Sequence, residues 1–213
     1  MKHDNIVRKV DNYYTGVFEE YNEGPLAADW NSKEAQQIRF DQLSRLLPSK
    51  NDSHFSICDF GCGLGDYHVY LQNKYKSFNY TGIDVSAKVI ECASATREGK
   101  YMCDSNIRLS YDYIVASGIF NVRQDTGDDE WKEYILSTIS MFARYANEGF
   151  AFNCLTMYSD EDRMKDYLYY ADPLFLFDFC KKHFSKNVSL LHDYDIYDFT
   201  ILVRRDNTLH GKN

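Results

Sequence analysis

The chain has 213 residues and a formal net charge of −8 at pH 7, which suits one domain with a single buried core. Its acidity, without any cluster of Lys or Arg, disfavours a nucleic-acid partner. No apolar run reaches the roughly 18 residues of a membrane span, so we expect no membrane partner. The polar N-terminal region lacks the apolar stretch of a secretory signal, and we therefore expect a cytoplasmic protein.

Apolar periodicity and turn residues predict alternating strands and helices. The predicted helices cover 33–47, 66–75, 86–97, 131–145 and 173–183, and the predicted strands cover 55–60, 80–85, 111–116, 149–155, 187–192 and 199–204. The last two strands are joined by a segment too short for a crossover helix, so they should pair antiparallel. This order predicts an α/β protein with a doubly wound, mostly parallel sheet. We expect one domain, with a helical cap segment at 1–50 and a core at 51–213.

A glycine-rich loop lies between the first predicted strand and the next helix, with the sequence Asp-Phe-Gly-Cys-Gly-Leu-Gly-Asp at 59–66. Glycine lets the backbone turn sharply and lets a ligand approach main-chain atoms. A dinucleotide fingerprint has its third glycine one residue later and a pyrophosphate at the helix start. Asp66 opens this helix instead, and an anionic side chain there favours a cationic ligand.

The second predicted strand ends in an acid, Asp84. It follows the glycines by roughly twenty residues, where a doubly wound fold places the acid that binds ribose hydroxyls. A strand, a glycine loop, a helix and a strand-terminal acid in this order predict a nucleoside-type cofactor.

The pattern Asp59-x-Gly61-x-Gly63-x-Gly65, followed by Asp84, resembles the first motif and the ribose acid of class I S-adenosylmethionine-dependent methyltransferases. The resemblance implies a Rossmann-like sheet of seven strands with an antiparallel last strand. It also implies S-adenosylmethionine as cofactor and S-adenosylhomocysteine as product. The expected cofactor-binding residues are Asp59, Gly61, Gly63, Gly65, Asp66, Asp84, Val85, Asp104 and Ser117, together with Trp30 and Arg39.

Further segments resemble small bacterial methyltransferases associated with surface-polysaccharide and other small-molecule pathways; they are 30–40, 117–121, 150–153, 169–173, 192–194 and 198–200. This implies methylation of an oxygen or nitrogen of a small molecule. A sugar or a surface-polysaccharide precursor, including a phosphoramidate-type one, is the acceptor that the resemblance allows. The segment after the 111–116 strand has no proline, unlike the Asn/Asp-Pro-Pro-aromatic motif of nucleic-acid and glutamine amino-methyltransferases, which argues against such substrates.

The candidates for a catalytic base or proton carrier are His68, His192 and Tyr194, together with the acids Asp66 and Asp172. His68 follows the glycine loop, His192 closes a predicted strand at the sheet's carboxyl edge, and Tyr194 lies two residues further on. A hydroxyl acceptor needs such a group because it must lose a proton. The alternative is a packed or surface residue, which is the commoner role of a lone histidine.

The segment around 30–39 is expected to cover the cofactor. Arg39 could pair with the methionine carboxylate or with an anionic group of the acceptor. The alternative is a surface arginine and a Trp30 that packs on the core. Tyr13, Tyr14 and Phe18 are candidates to line the acceptor pocket, although an N-terminal region is often loosely packed.

The cysteines and acids do not form a metal-binding pattern. The six cysteines contain no Cys-x-x-Cys pair, and free thiols are expected. The acidic run at 125–130 lacks the ligand spacing of a calcium loop, and helix-start acids are explained by the helix dipole. We therefore expect no metal.

Two other classes of protein remain open at this point. One is a nicotinamide-dependent oxidoreductase on a similar fold, which the missing dinucleotide glycine disfavours. The other is a non-catalytic subunit that binds the cofactor without an acceptor site. The sequence is compatible with a monomer or a homodimer.

Overall fold

The computed structural model describes residues 3–21, 33–49 and 54–206. Its helices and strands are, in chain order, α1 (Asp4–Tyr21), α2 (Lys33–Ser44), β1 (Phe55–Phe60), α3 (Asp66–Gln72), β2 (Phe78–Asp84), α4 (Ala87–Thr96), β3 (Lys100–Cys103), β4 (Tyr111–Ala116), α5 (Asp128–Tyr145), β5 (Ala146–Leu155), a 3-10 turn (Glu161–Arg163), α6 (Pro173–His183), β6 (Asn187–Leu191) and β7 (Asp198–Arg204).

The seven strands form one sheet in the order β3-β2-β1-β4-β5-β7-β6. The pairs among β1 to β5 are parallel, whereas β7 is antiparallel to both β5 and β6. This confirms the predicted α/β sheet and its antiparallel last strand. From β1 the chain moves outward to β2 and β3, then returns to place β4 on the other side of β1. That reversal makes a crevice outside the carboxyl ends of β1 and β4, where ligands bind in such sheets.

Helices cover both faces of the sheet, and β1 shows how the strands divide between them. Cys58 and Phe60 belong to the core cluster that contains α5 residues, whereas Phe55 and Ile57 belong to the cluster that contains α2 and α3 residues. Successive side chains of a strand point to opposite faces, so two separate apolar layers form. The sheet is therefore held from both sides, and its carboxyl edge stays open for a ligand.

Two elements were not recognised from the apolar pattern. The edge strand β3 has four residues, none fully buried and two exposed, so no apolar run marks it. The helix α1 is amphipathic, and the buried Ile6 ties it to the core cluster around α5. The strand β3 therefore depends on its pairing with β2, whereas α1 lies within the segment that was expected to form a helical cap.

In the part of the chain that the structure describes, no helix is long and apolar enough to cross a membrane. All six cysteines are free thiols, and four of them are buried.

Candidate active site

A cavity of about 490 Å³ lies at the carboxyl ends of the central strands. The loops after β1, β2 and β4 form its floor, and the helices α1 and α2 form part of its cover. The segment between β5 and α6 and the loop before β7 complete the wall. The predicted cofactor residues that line it are Arg39, Asp59, Gly61, Gly63, Asp66, Asp84, Val85, Asp104 and Ser117. Gly65 lies just outside the lining, at the N-cap of α3, and Trp30 lies outside the described residues.

The glycine loop requires glycine for two different reasons. Gly61 has a φ of +77°, and a β-carbon on it would lie 2.2 Å from Cγ2 of Ile119. Gly63 has a φ of +51°, but a β-carbon on it would meet no atom within 4 Å. Packing against Ile119 therefore leaves no room for a side chain at Gly61. Gly63, which lines the cavity, leaves its backbone open to close approach by a ligand.

Asp84 ends β2 with its carboxylate fixed by the backbone. Its Oδ2 accepts a hydrogen bond from Gly63 N at 3.0 Å, and its Oδ1 accepts one from Ser86 N at 3.0 Å. Burial raises the pKa of this carboxyl, and the backbone hydrogen bonds oppose that rise. Each carboxylate oxygen has a further lone pair, so the fixed group can accept hydrogen bonds from two adjacent hydroxyls of a ligand.

Asp59, at the end of β1, is 3% exposed and accepts a hydrogen bond from Tyr80 Oη at 2.7 Å. Burial raises its pKa from 3.8 to about 7; the Tyr80 hydrogen bond opposes the rise, and the negative charges of Asp84 and Asp66 add to it. A ligand cation in the cavity would favour the ionised carboxylate and so lower that pKa. Asp59 is thus suited to an ammonium group.

The two other acids of this part of the cavity have protein partners. Asp66 accepts a hydrogen bond from Gln36 Nε2 at 3.2 Å, which links the glycine loop to α2. Asp104 follows β3 and accepts hydrogen bonds from Asn106 N at 3.0 Å and Arg108 Nε at 2.7 Å. Four carboxylates from the ends of β1 to β3 therefore line one half of the cavity.

The loop after β4 is held by Asn153, an asparagine that was not among the predicted site residues. Asn153 on β5 is fully buried; its Oδ1 accepts from Gly118 N at 2.7 Å and its Nδ2 donates to Ser117 Oγ at 3.3 Å. Asn121 in the same loop accepts from Leu155 N at 3.0 Å. A lone amide inside the apolar run Phe-Ala-Phe-Asn-Cys is the signal that could have indicated this support.

Arg39 lines the cavity, and it makes a buried ion pair with the protein itself. Its Nε and Nη2 donate to the two carboxylate oxygens of Asp198 at 3.0 and 2.7 Å. Arg39 is 7% exposed and Asp198 is 1% exposed. The expected pairing with a ligand anion is therefore occupied, at two of the guanidinium nitrogens, by a carboxylate that joins α2 to β7.

Three of the candidate bases, His68, His192 and Tyr194, do not lie in the cavity wall. His68 is buried on α3, where its ring stacks on Tyr80 at 4.2 Å, behind the glycine loop. His192 is exposed next to the edge strand β6, on the far side of β7 from the crevice. The Tyr194 Oη is hydrogen-bonded to Thr200 Oγ1 at 2.9 Å, and burial raises its pKa. None of these three side chains therefore lines the cavity, whereas Asp66 at the start of α3 does.

The segment between β5 and α6 supplies further cavity residues, of which only Tyr170 lies in a segment that the sequence analysis singled out; they are Ser159, Arg163, Lys165, Tyr167, Leu168 and Tyr170. From α1, Val10 and Tyr14 also line the cavity, whereas Tyr13 packs beside Tyr14 and Tyr167. Because these residues are far apart in the chain, only the folded structure brings them together.

No family model matches the sequence, but solved structures share its fold. Magnesium protoporphyrin IX methyltransferase from Synechocystis PCC 6803 with bound S-adenosylhomocysteine has a TM-score of 0.68 at 15% identity, over 93% of this chain and 99% of that chain. The plantazolicin methyltransferase BpumL in complex with S-adenosylhomocysteine has a TM-score of 0.61 at 14% identity, over 93% of this chain and 90% of that chain. The fold is that of the class I S-adenosylmethionine-dependent methyltransferases.

A closer relative comes from Mycobacterium tuberculosis (strain ATCC 25618 / H37Rv), where it is named "Putative methyltransferase Rv1506c". It is 50% identical over 155 residues, which are 71% of this chain and 93% of the relative. The chain belongs to this methyltransferase family. That membership excludes the nicotinamide-dependent oxidoreductase considered from the sequence.

Proposed function

We propose that the chain binds S-adenosylmethionine in this cavity and transfers its methyl group to an oxygen or nitrogen of a small molecule. The observation that carries the proposal is the convergence of Asp59, Gly63 and Asp84 on one cavity at the crevice between β1 and β4. A buried carboxyl for an ammonium, an open glycine backbone and a fixed strand-end carboxylate match the methionine and ribose parts of this cofactor.

The other cavity residues fit the same orientation. Val85 and Asp104 follow β2 and β3, on the side where the adenine would extend from the ribose. The loop at 117–121 follows β4 and would lie beside the reacting methyl group. The cofactor, when bound, supplies a methyl group activated by a positive sulfonium. The protein would mainly hold the acceptor atom in line with the carbon–sulfur bond.

The acceptor is proposed to be a small metabolite such as a sugar or a surface-polysaccharide precursor, a phosphoramidate-type one included. Support comes from the sequence resemblance and from the cover that α1 and α2 place over the cavity, which favours a small ligand over a polymer chain. Among the described residues, no histidine lines the cavity. A hydroxyl acceptor would lose its proton to a wall carboxylate or to water. The cytoplasmic location belongs to the same proposal.

Isothermal titration with S-adenosylmethionine, S-adenosylhomocysteine and NAD tests the cofactor assignment. We expect micromolar binding of the first two and none of NAD. Absence of binding by both sulfur ligands would contradict the proposal. Release of S-adenosylhomocysteine with an acceptor panel then separates an enzyme from a subunit that only binds the cofactor.

A further inference from the structure

Behind the glycine loop, a stack of aromatic rings lies against the buried carboxylate of Asp59. The ring of Tyr80 on β2 lies nearly parallel to the ring of His68 on α3, with centroids 4.2 Å apart and an interplanar angle of 8°. His68 Nδ1 and the Oη of Tyr101 on β3 share a hydrogen bond at 3.2 Å. Tyr80 Oη donates to Asp59 Oδ2 at 2.7 Å. The stack therefore links β3 and α3 to the carboxyl end of β1.

Two glycines leave the space that this stack fills. A β-carbon on Gly65, the last glycine of the loop, would lie 2.4 Å from Tyr101 Oη. A β-carbon on Gly82 in β2 would lie 2.8 Å from Tyr101 Cδ1. Because packed atoms do not approach each other so closely, a side chain at either position would displace the Tyr101 ring. The glycine loop and β2 therefore accommodate Tyr101, whose hydroxyl is bonded to the ring next to Tyr80.

The hydrogen bond between Tyr80 and Asp59 fixes a carboxylate at the edge of the cavity. Both residues are buried, and Asp59 lines the cavity whereas Tyr80 lies behind it. The bond uses Oδ2 and restrains the rotation of the carboxylate, so Oδ1 keeps its capacity to accept from a ligand. Burial lowers the pKa of His68, although a backbone hydrogen bond to Glu98 opposes this. The ring next to Tyr80 is therefore uncharged near neutral pH and does not replace a ligand cation.

We propose that Tyr80 is a positioning residue for the cofactor, which holds the Asp59 carboxylate so that its Oδ1 accepts a hydrogen bond from the ammonium group of the methionine part. A carboxylate that is fixed before binding loses less freedom when the ligand arrives, so the affinity is higher. The same hydrogen bond favours the ionised carboxyl, which is the form that attracts an ammonium. This inference rests on the proposed function, because it takes the half of the cavity lined by the four carboxylates as the cofactor half.

The test compares two ligands that differ in the amino-acid part. S-adenosylhomocysteine carries the ammonium group, whereas 5′-methylthioadenosine has the same nucleoside and sulfur without it. Both are titrated by calorimetry into the wild type, Tyr80→Phe and Tyr111→Phe. Tyr80→Phe keeps the ring that stacks on His68 and removes only the hydroxyl. The control Tyr111→Phe removes the hydroxyl of another buried tyrosine, which is hydrogen-bonded to Thr81 at the start of β4 and does not line the cavity.

The proposal requires a loss that is specific to the ligand with the ammonium group. Tyr80→Phe should weaken S-adenosylhomocysteine binding about fivefold or more, since one hydrogen bond to a charged group is lost. The affinity for 5′-methylthioadenosine should stay within about twofold, and Tyr111→Phe should leave both affinities within about twofold of the wild type. Equal losses for the two ligands in Tyr80→Phe, or no loss for either, would overturn the proposal.

A pH series gives a second readout, which a hydroxyl with a merely structural role would not change. Burial raises the pKa of Asp59, and the Tyr80 hydrogen bond opposes that rise. The affinity for S-adenosylhomocysteine should therefore increase with pH as Asp59 ionises, and in Tyr80→Phe this increase should move to higher pH. An unshifted profile would overturn the proposal. The other titratable groups that face Asp59 are the same in both proteins; they are Cys58, Cys62, Asp66, Tyr67, Asp84 and Tyr101.

The same titrations separate this inference from the proposed function. If S-adenosylhomocysteine fails to bind the wild type, the proposed function is contradicted and the inference falls with it. If it binds the wild type but Tyr80→Phe shows no specific loss, only the positioning role of Tyr80 is overturned.

Discussion

The two halves of the cavity are built in different ways. On the cofactor half, Asp59 and Asp84 stand at strand ends, and their oxygens are held by a buried phenol and by backbone N–H groups. On the other half, Arg163 and Lys165 lie on a long connection between β5 and α6 that is anchored near its ends and has exposed side chains. The first half is therefore tied to the sheet by its hydrogen bonds, whereas side chains of the second can change without changing the sheet. A fold whose loops vary on a constant sheet can serve many ligands.

The buried ion pair between α2 and β7 in the cavity wall gives the largest expected effect. Asp198→Ala leaves the buried Arg39 cation without the carboxylate that joins α2 to β7. The free energy of unfolding should fall by about 3–5 kcal/mol, the usual cost of breaking a buried pair. Urea denaturation followed by circular dichroism measures it.

The control for this loss is Asp178→Ala, which breaks an exposed pair with Lys182 on α6. Such pairs contribute little, so the change should stay within about 1 kcal/mol. Similar losses in the two variants would show that the buried pair has no special part in joining α2 to β7.

The free energy of unfolding should depend on pH because of Asp59. The native Asp59 carboxyl keeps its proton up to a pKa of about 7, whereas the usual value is 3.8. Between these values the folded state binds more protons than the unfolded state, so stability falls as pH rises through this window. Relative to Asp59→Asn, the wild type should lose on the order of 3–4 kcal/mol across it. Urea denaturation at a series of pH values gives the difference.

Asp104→Asn is the control, because the removed carboxylate contributes to stability with the opposite pH dependence. Burial raises the pKa of Asp104, but the hydrogen bonds from Arg108 and the backbone outweigh it and the pKa is lowered. That carboxylate stabilises the fold at neutral pH and loses its contribution as pH falls. A pH slope for Asp59→Asn identical to that of the wild type would refute the assigned role of Asp59.

The two halves of the cavity differ in how much of each could be predicted from the sequence. Gly61, Gly63 and Asp84 belong to one strand–helix–strand unit, so their spacing alone places them at one sheet edge. Arg163 and Lys165 reach the cavity only because distant segments pair, and no short-range pattern encodes that pairing. Similarly, His68 looks well placed along the chain, but its side chain packs behind the glycine loop, which only tertiary packing decides.

Two variants that each remove one acid, one from each half of the cavity, test where the cofactor binds. Asp84→Ala should weaken S-adenosylhomocysteine binding by about 1–3 kcal/mol, because charged hydrogen bonds to ribose hydroxyls are lost. Asp195→Ala removes a wall carboxylate from the other half and should leave that affinity nearly unchanged. Calorimetry on both variants measures the two values. Equal effects would mean that the cofactor is not confined to the half assigned to it.

The smallest expected effect concerns the cover over the cofactor half. Thr15 on α1 has its hydroxyl 2.6 Å from Ser86 Oγ, at the N-cap of α4 and two residues after Asp84. Thr15→Val keeps the shape of the side chain and removes this hydrogen bond together with the one that the hydroxyl donates to Asp11 Oδ1 at 3.0 Å, so the free energy of unfolding should fall by about 1–2 kcal/mol. The dissociation rate of S-adenosylhomocysteine, followed by stopped flow, should rise a few-fold because α1 covers the cavity. Lys9→Gln breaks an exposed α1 contact with Asp125 instead, and it should change that rate less. If the two variants release the ligand equally fast, α1 covers the cofactor half without being held to it through Ser86.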